Sequence, residues 1–403
     1  MIKTPKGLRT QIGIFGRRNV GKSTFLNAIT RQNAAVVSNV PGTTTDPVEK
    51  PMEMLPLGPV LFIDTAGIDD DGALGGKRIE KTKRVFERAD VAIIIAAEGE
   101  WGGFEEKLIQ EFKKRNTPLI VVFNKTDIAP PAPETIERLD ADNIPHAALS
   151  ALSGEGMEGF KNKLLEALPD EFFTPNTILG DLVPPGGFVV LVVPIDLEAP
   201  KGRLIMPQVQ SIRDALDNDA YCVVVKEREL AAALDNMKKP PALVVTDSQA
   251  FLKVAADVPD EIPMTSFSIL FARFKGDLTA FAEGAERIDD LKPGDRILVA
   301  EACSHHPVAE DIGRVKIPRW LEQYVGGKLE FTHHQGHDFP ENPGEFDLVI
   351  HCGSCVFNPK NLMARVAACA EAGVPITNYG VAIARVLGIF DRAMEPFSPS
   401  RIR

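Results

Sequence analysis

Residues Gly16-Arg17-Arg18-Asn19-Val20-Gly21-Lys22-Ser23 carry the spacing G-x-x-x-x-G-K-S, and each fixed position in that spacing has a mechanical use. Gly16 and Gly21 let consecutive backbone N–H groups, on through Val20 to Thr24, wrap a chain of phosphates, and the helix that follows adds the partial positive charge of its N-terminus. Lys22 then reaches the β- and γ-phosphates, and the Ser23 hydroxyl ligates Mg²⁺. An apolar run, Gln11-Ile12-Gly13-Ile14-Phe15, precedes the loop, and Thr24-Phe25-Leu26-Asn27-Ala28-Ile29 follows it with helical patterning. Strand, phosphate loop and helix therefore come in the order this chemistry requires.

Further stretches extend the same site. Ser38-Asn39-Val40-Pro41-Gly42-Thr43-Thr44-Thr45-Asp46 is polar and aperiodic; it reads as a switch loop in which Thr44 binds Mg²⁺ and senses the γ-phosphate, ordering the loop only around a triphosphate. Val60-Leu61-Phe62-Ile63 ends in Asp64-Thr65-Ala66-Gly67. An aspartate at the C-terminal end of a strand holds Mg²⁺, usually through water, while the Gly67 backbone meets the γ-phosphate. Leu119-Ile120-Val121-Val122-Phe123 leads into Asn124-Lys125-Thr126-Asp127. The Asp127 carboxylate can accept from the N1–H and 2-amino group of guanine, a pair adenine does not offer, so this stretch selects GTP. Ser150 and Ala151, in Ser150-Ala151-Leu152-Ser153, complete the base pocket. The expected catalytic set is Lys22, Thr44, Asp64 and Gly67.

A second constellation lies near the other end. Arg296-Ile297-Leu298-Val299-Ala300 reads as a strand and is followed by Glu301-Ala302-Cys303-Ser304-His305-His306; Phe346-Asp347-Leu348-Val349-Ile350 reads as another, followed by His351-Cys352-Gly353-Ser354-Cys355. Both clusters sit beyond strand C-termini, where an open α/β sheet places its ligands. If the two strands are neighbours, Cys303, Cys352 and Cys355 converge. A C-x-x-C pair chelates one centre and a third thiolate closes a face with an open corner, which suits an iron–sulfur cluster. A Cys₃His zinc site and C-x-x-C thiol redox are the competing readings. His305 and His351 flank the cysteines and read as a labile fourth ligand or as outer donors; His306 could substitute. His333, His334 and His337 read as a polar cluster in a solvated loop. Cys222, inside a β-branched run, and Cys369, on an apolar helical stretch, read as core residues.

The elements that must position these groups belong to a chain of 403 residues, 44% hydrophobic and 25% charged, which suggests two or three soluble globular domains. A net charge of −11 gives no overall basic footprint for nucleic acid or an anionic membrane. No apolar run reaches a membrane span and the N-terminal residues lack an apolar signal core, so a cytoplasmic protein is expected. The five cysteines, three of them between 303 and 355, argue for metal or redox chemistry over disulfides. Between the two loaded regions, after the turn cluster Val183-Pro184-Pro185-Gly186-Gly187, strands at Phe188–Pro194, Tyr221–Val225 and Ala242–Thr246 alternate with helical stretches, predicting a small α/β unit. It carries no titratable cluster. Its expected role is to join subunits, with a rigid spacer as the alternative. Phe267 to Ile288 reads as one long helical stretch.

In order and spacing, the nucleotide stretches resemble a small GTPase domain of the translation-factor-related class over residues 1–170. Asn19 falls where potassium-activated members of that class carry an asparagine that holds K⁺, Gly42-Thr43-Thr44-Thr45-Asp46 resembles their switch loop, and Ile68 stands where Ras-like members place a water-orienting glutamine. That resemblance implies slow hydrolysis assisted by a monovalent cation.

Taken whole, C-x-H, then 45 residues, then H-C-x-x-C, behind an N-terminal GTPase, resembles the GTPase maturases of [FeFe] hydrogenase, the HydF family. The resemblance covers the full length and implies an α/β chain: a P-loop GTPase domain at 1–170, a dimerisation domain at 171–265 and a cluster-binding domain at 266–403. It further implies a [4Fe-4S] cluster on Cys303, Cys352 and Cys355 beside GTP, Mg²⁺ and K⁺. The implied role is a scaffold or carrier for the precursor of the diiron subcluster, with apo-[FeFe]-hydrogenase and two radical-SAM maturases of the HydE and HydG type as partners and a homodimer as the assembly. The rival class is a ribosome- or tRNA-associated GTPase with a C-terminal zinc or redox module; it calls for a basic, aromatic-bearing RNA module, where this sequence offers acidic charge and cysteines. A third is a zinc-stabilised interaction module with a GTP switch.

Overall fold

Apolar runs without polar alternation belong to strands covered on both faces, and every residue of Val91–Ala97 and Leu119–Asn124 is buried. The computed structural model describes residues 4–30, 47–65, 84–97, 99–174, 176–195, 202–302 and 311–398. The sequence-based expectations for Thr44, Gly67, Ile68, Cys303, His305 and His306 lie outside the described residues. The chain divides into two units, Met1–Pro175 and Asn176–Arg403.

In the first unit, β1 (Thr10–Gly16), β2 (Val48–Met54), β3 (Gly58–Asp64), β4 (Val91–Ala97), β5 (Leu119–Asn124) and β6 (His146–Ala148) form a six-stranded sheet ordered β2-β3-β1-β4-β5-β6. Only the β2–β3 pair is antiparallel. The period-2 alternation of side chains splits the strands between two cores: Ile12, Ile14, Ile93 and Ile95 pack on one face, and Phe15, Ile63 and Ile94 on the other. Helices α1 (Lys22–Thr30), α2 (Gly103–Lys114), α3 (Pro133–Ala141) and α4 (Met157–Glu166) belong to the same unit. Phe25 of α1 meets Phe160 of α4 edge-on, ring centroids 5.1 Å apart, while Phe112 of α2 lies 4.8 Å from Phe15 on the opposite face. The register Ile14↔Asp64 and Gly16↔Ile95 brings the C-terminal ends of β1, β3 and β4 to one edge. Gly16 has φ +148°, and a Cβ there would stand 2.3 Å from the Ile95 carbonyl oxygen; the phosphate loop can leave β1 this closely only from a glycine.

The second unit holds two four-stranded, all-parallel sheets. One is ordered β10-β9-β7-β8, from β7 (Phe188–Val192), β8 (Tyr221–Val225), β9 (Leu243–Thr246) and β10 (Met264–Ser266); the other is ordered β12-β11-β13-β14, from β11 (Arg296–Glu301), β12 (Glu330–Gln335), β13 (Leu348–His351) and β14 (Ile376–Asn378). Val190 and Val244 of the first sheet and Ile297 and Val349 of the second share one hydrophobic core. Helices α5 (Met206–Asp217), α6 (Leu230–Asp235) and α7 (Phe251–Asp257) alternate with the first sheet's strands.

The expected single helix over Phe267 to Ile288 is two, α8 (Phe267–Lys275) and α9 (Leu278–Glu286). Gly276 is fully extended, and the Asp277 side chain accepts from the Ala280 N–H, so a new N-cap interrupts the apolar periodicity. A Cβ at Gly276 would come within 2.7 Å of the Phe281 ring. Among the described residues four later helices follow: α10 (Ile317–Val325), α11 (Pro359–Glu371), α12 (Tyr379–Val386) and α13 (Phe390–Met394). His333 and His334, expected in a loop, lie in the edge strand β12 instead; His333 Nε2 sits 3.2 Å from the Gly313 carbonyl oxygen. β13 also runs one residue further than its apolar core, which buries His351 completely.

Candidate functional site

The glycines and the helix start bring the phosphate-binding groups together. Lys22 is buried, and its Nζ donates to the carbonyls of Gly16 at 2.9 Å and Arg17 at 2.5 Å. Ser23 Oγ, in the first turn of α1, donates to Asp64 Oδ2 at 2.6 Å. Asp64 Oδ1 is buried and, among the described residues, has no hydrogen-bond partner. Burial raises the Asp64 pKa, while Ser23, Lys22 and Lys50 pull it down. A buried carboxylate oxygen left without a partner beside a hydroxyl is a donor set that fits a hard divalent cation, so Ser23 and Asp64 suit Mg²⁺. Asn19 is exposed at φ +61°, at the crest of the loop.

The base end is tied to the phosphate loop by one side chain. Asn124 Nδ2 donates to the Val20 carbonyl at 2.9 Å, and its Oδ1 accepts from the Ala151 N–H at 2.9 Å. Lys125 follows in the left-handed region at φ +62°, which turns the chain so that Asp127 emerges exposed. Ser150 is fully buried, and its hydroxyl accepts from the Ser153 N–H at 3.3 Å.

In the second unit, β11 and β13 are hydrogen-bonded neighbours in parallel register, Ala300 opposite His351. The Cys352 N–H donates to the Ala300 carbonyl at 2.9 Å, and the Ala302 N–H donates to Cys352 Sγ at 3.1 Å. Cys352 and Cys355 line one cavity of about 280 Å³, with Glu301, Phe271 and Tyr379 in its wall. Within the C-x-x-C loop Ser354 is buried at φ +52°, a conformation that persists only where neighbours hold it. Lys275, at the end of α8 and 2% exposed, donates to the carbonyls of Ser354, Cys355 and Phe357 at 3.0, 3.1 and 2.7 Å. Burial lowers its pKa to about 8, opposed by charge on Cys355 and Cys352.

His351 has both ring nitrogens engaged. Arg365 Nη1 lies 2.9 Å from Nε2, and Nδ1 faces the Cys352 carbonyl at 2.9 Å and Ser354 Oγ at 3.1 Å. Burial, then the Arg365 charge, hold the imidazole down to about 3. It is therefore neutral, accepts from the guanidinium at Nε2 and donates from Nδ1 to the loop it precedes. Cys369 is fully buried and half-buried Cys222 sits in β8, where burial pushes their thiols up to about 12 and about 11. Two thiols at one cavity, a peptide N–H aimed at one sulfur and a buried ammonium beside the loop fit an anionic, thiolate-held group such as an iron–sulfur cluster.

Three family models match this chain. A 50S ribosome-binding GTPase model covers 11–125, a hydrogen maturase F dimerization domain covers 178–276 and a hydrogen maturase F tetramerization domain covers 279–396. The chain belongs to the hydrogen maturase F family. The two domain models specific to that family together span just over half of its residues.

Curated relatives match the GTPase region. A tRNA modification GTPase MnmE from Synechococcus is 40% identical over 146 residues, covering 33% of this chain and 30% of that protein. GTPase Der from Wolinella succinogenes is 34% identical over 166 residues, covering 39% of this chain and 35% of that protein. The match thus spans about a third of the length of each. Among solved structures, the G domain of the T. maritima FeoB iron transporter shares 23% identity with a TM-score of 0.31, covering 40% of this chain and 98% of that one.

The family's dimerization and tetramerization domain models, over 178–276 and 279–396, support oligomerisation. Several residues of the sites escaped sequence reasoning. Arg17, an unspecified position in the phosphate-loop motif, makes a bidentate pair with fully buried Glu105, Nε to Oε1 at 2.7 Å and Nη2 to Oε2 at 3.0 Å, over the Phe104 ring. Lys275 and Arg365 were missed as well, and each meets its partners across a long sequence gap.

Proposed function

We propose that this hydrogen maturase F chain is a cytoplasmic, GTP-hydrolysing scaffold that carries the precursor of the diiron subcluster of [FeFe] hydrogenase and delivers it to the apo-enzyme. Two radical-SAM maturases of the HydE and HydG type supply the cargo, and the assembly is at least a homodimer. Support for the GTPase half comes from the phosphate loop, the Ser23–Asp64 pair and the Asn124 tie between loop and base pocket. In this reading Gly16, Asn19, Val20, Gly21, Lys22, Ser23 and Thr24 cradle the phosphates, Asn124, Lys125, Asp127, Ser150 and Ala151 take guanine, and Ser23, Thr44 and Asp64 serve Mg²⁺. Asn19 holds K⁺, and hydrolysis is slow because no glutamine follows Gly67.

Cys303, Cys352 and Cys355 would hold a [4Fe-4S] cluster, whose fourth corner, without a cysteine, would be exchangeable and open to a second metal unit. The observation that carries this reading is the pairing of β11 with β13, which brings the Ala302 N–H onto Cys352 Sγ one residue before Cys303 in sequence. His351, with both nitrogens occupied by Arg365 and its own loop, orients the cysteines in place of ligating. Domain roles follow as GTPase at 1–170, dimerisation at 171–265 and cluster binding at 266–403. The test is transfer: anaerobically loaded protein mixed with apo-[FeFe]-hydrogenase should generate hydrogen evolution, and Cys352→Ala protein should not. Hydrogen evolution undiminished by Cys352→Ala contradicts the reading.

A further inference from the structure

Glu105 is an acid at a core position. It shares the helical spacing of Leu108, Ile109 and Phe112, the residues through which α2 packs into the core that holds Phe15 near the end of β1, and like Phe112 it is fully buried. Its carboxylate meets the Arg17 guanidinium at both oxygens, and Oε2 also accepts from the Gly102 N–H at 3.0 Å. A buried ion pair adds little to stability, because desolvation offsets the attraction and apolar side chains of similar volume often serve the fold as well. What a two-point fork supplies is direction, since guanidinium and carboxylate must share one plane and one register.

That direction is imposed on the phosphate loop. Arg17 follows Gly16 directly, its guanidinium lies over the Phe104 ring at 5.2 Å from the centroid, and its carbonyl accepts from Lys22 Nζ. Further along the loop the Val20 carbonyl is held by Asn124. Two ties from two different elements, α2 and the end of β5, therefore bracket Arg18 and Asn19 at the crest.

We propose that Arg17 and Glu105 are positioning residues of the nucleotide site: through this pair α2 holds the first residues of the phosphate loop in their binding shape before the nucleotide arrives. The inference rests on the reading of Gly16–Ser23 as the phosphate loop of a GTPase and adds to it a side chain from a helix outside the nucleotide motifs. A loop already shaped for its ligand is not ordered at the ligand's expense, so the pair acts on affinity.

The experiment measures GTP and GDP affinity of the full chain with Mg²⁺ present, at a temperature below the thermal unfolding of every variant. Arg17→Met should weaken both nucleotides by about tenfold, and Glu105→Gln by several-fold. Arg17→Lys, which keeps the charge without the fork, should fall between wild type and Arg17→Met. The deciding variant is the double substitution Arg17→Met with Glu105→Leu, which replaces the ion pair by apolar side chains. It should recover the thermal stability that Arg17→Met loses by leaving Glu105 buried without its cation, yet stay weak for both nucleotides. If Arg17→Met does not fold, Glu105→Gln and the double variant carry the test. Wild-type affinity in Glu105→Gln, or a double variant that regains affinity together with stability, assigns the pair to the fold alone and overturns the proposal. Wild-type protein that binds neither nucleotide contradicts the phosphate-loop reading and the proposal with it, and wild type alone tells that failure from the first.

Discussion

Ser23 Oγ and Asp64 Oδ2 are joined by a 2.6 Å hydrogen bond that links the first turn of α1 to the last residue of β3. The second oxygen of Asp64 is buried and, among the described residues, unpartnered, so the pair is arranged for a ligand it can share. Ser23→Ala should therefore weaken Mg²⁺-dependent GTP binding by roughly tenfold or more, in line with loss of one hydrogen-bonding group to a charged partner. Titration of GTP at fixed Mg²⁺ measures this, and an affinity equal to wild type would remove the pair from the site.

Asp127 is exposed beyond the left-handed turn at Lys125. Asp127→Asn should lower GTP affinity by about 10- to 100-fold, the range for losing hydrogen bonds to a charged acceptor, and should admit xanthosine nucleotides, whose base edge matches an amide. Competition binding with the two nucleotides is the check. Unchanged preference for GTP would move base recognition elsewhere.

Asn19 stands exposed at the crest of the phosphate loop. Steady-state hydrolysis should rise when K⁺ replaces Na⁺, and Asn19→Ala should abolish that rise. A rate indifferent to the cation, or stimulation that survives the substitution, would contradict the assignment of K⁺ to Asn19.

β8 is the edge of its sheet, and Tyr221 and Val224 on it are 58% and 44% exposed. An apolar, unpaired strand edge is a template for another strand, and it lies within the region matched by the family's dimerization domain. Val224→Lys should shift the purified protein toward smaller species in light scattering by at least a tenfold weaker association. An oligomer of unchanged mass would place the contact on another face.

Much of this was legible in the sequence because it is local. Val91–Ala97 and Leu119–Asn124 declare themselves as buried strands by composition alone, and the phosphate loop by its glycine spacing. The cysteine site was legible to the extent that its loops follow apolar strands; that β11 and β13 are neighbours is a matter of topology, which composition does not encode. Lys275 reads locally as a basic residue closing an apolar helix, a usual solvated cap, and only the packing of α8 against a loop about 80 positions later makes it part of a site. Arg17 and Glu105 are equally remote from one another in sequence. The break at Gly276 was missed because the apolar spacing continues through it, whereas the Asp277 cap and the close approach of Phe281 overrule that spacing. His333 and His334 read as loop because polar residues dominate there, and an edge strand with one wet face tolerates such residues.

The central claim is that the C-terminal cysteines hold an iron–sulfur cluster in a chain that also hydrolyses GTP, and anaerobic reconstitution with iron and sulfide tests it most directly. Iron, sulfide and zinc content and the absorption and paramagnetic resonance spectra are measured for wild type and for alanine variants at Cys303, Cys352, Cys355, Cys222 and Cys369. The account predicts about four irons and four sulfides per wild-type chain, loss of the cluster with each of Cys303→Ala, Cys352→Ala and Cys355→Ala, near-normal iron with Cys222→Ala and Cys369→Ala, and GTP hydrolysis in all five. One tightly bound zinc per chain with refusal of iron and sulfide, or a cluster that depends on Cys222 or Cys369, would contradict it.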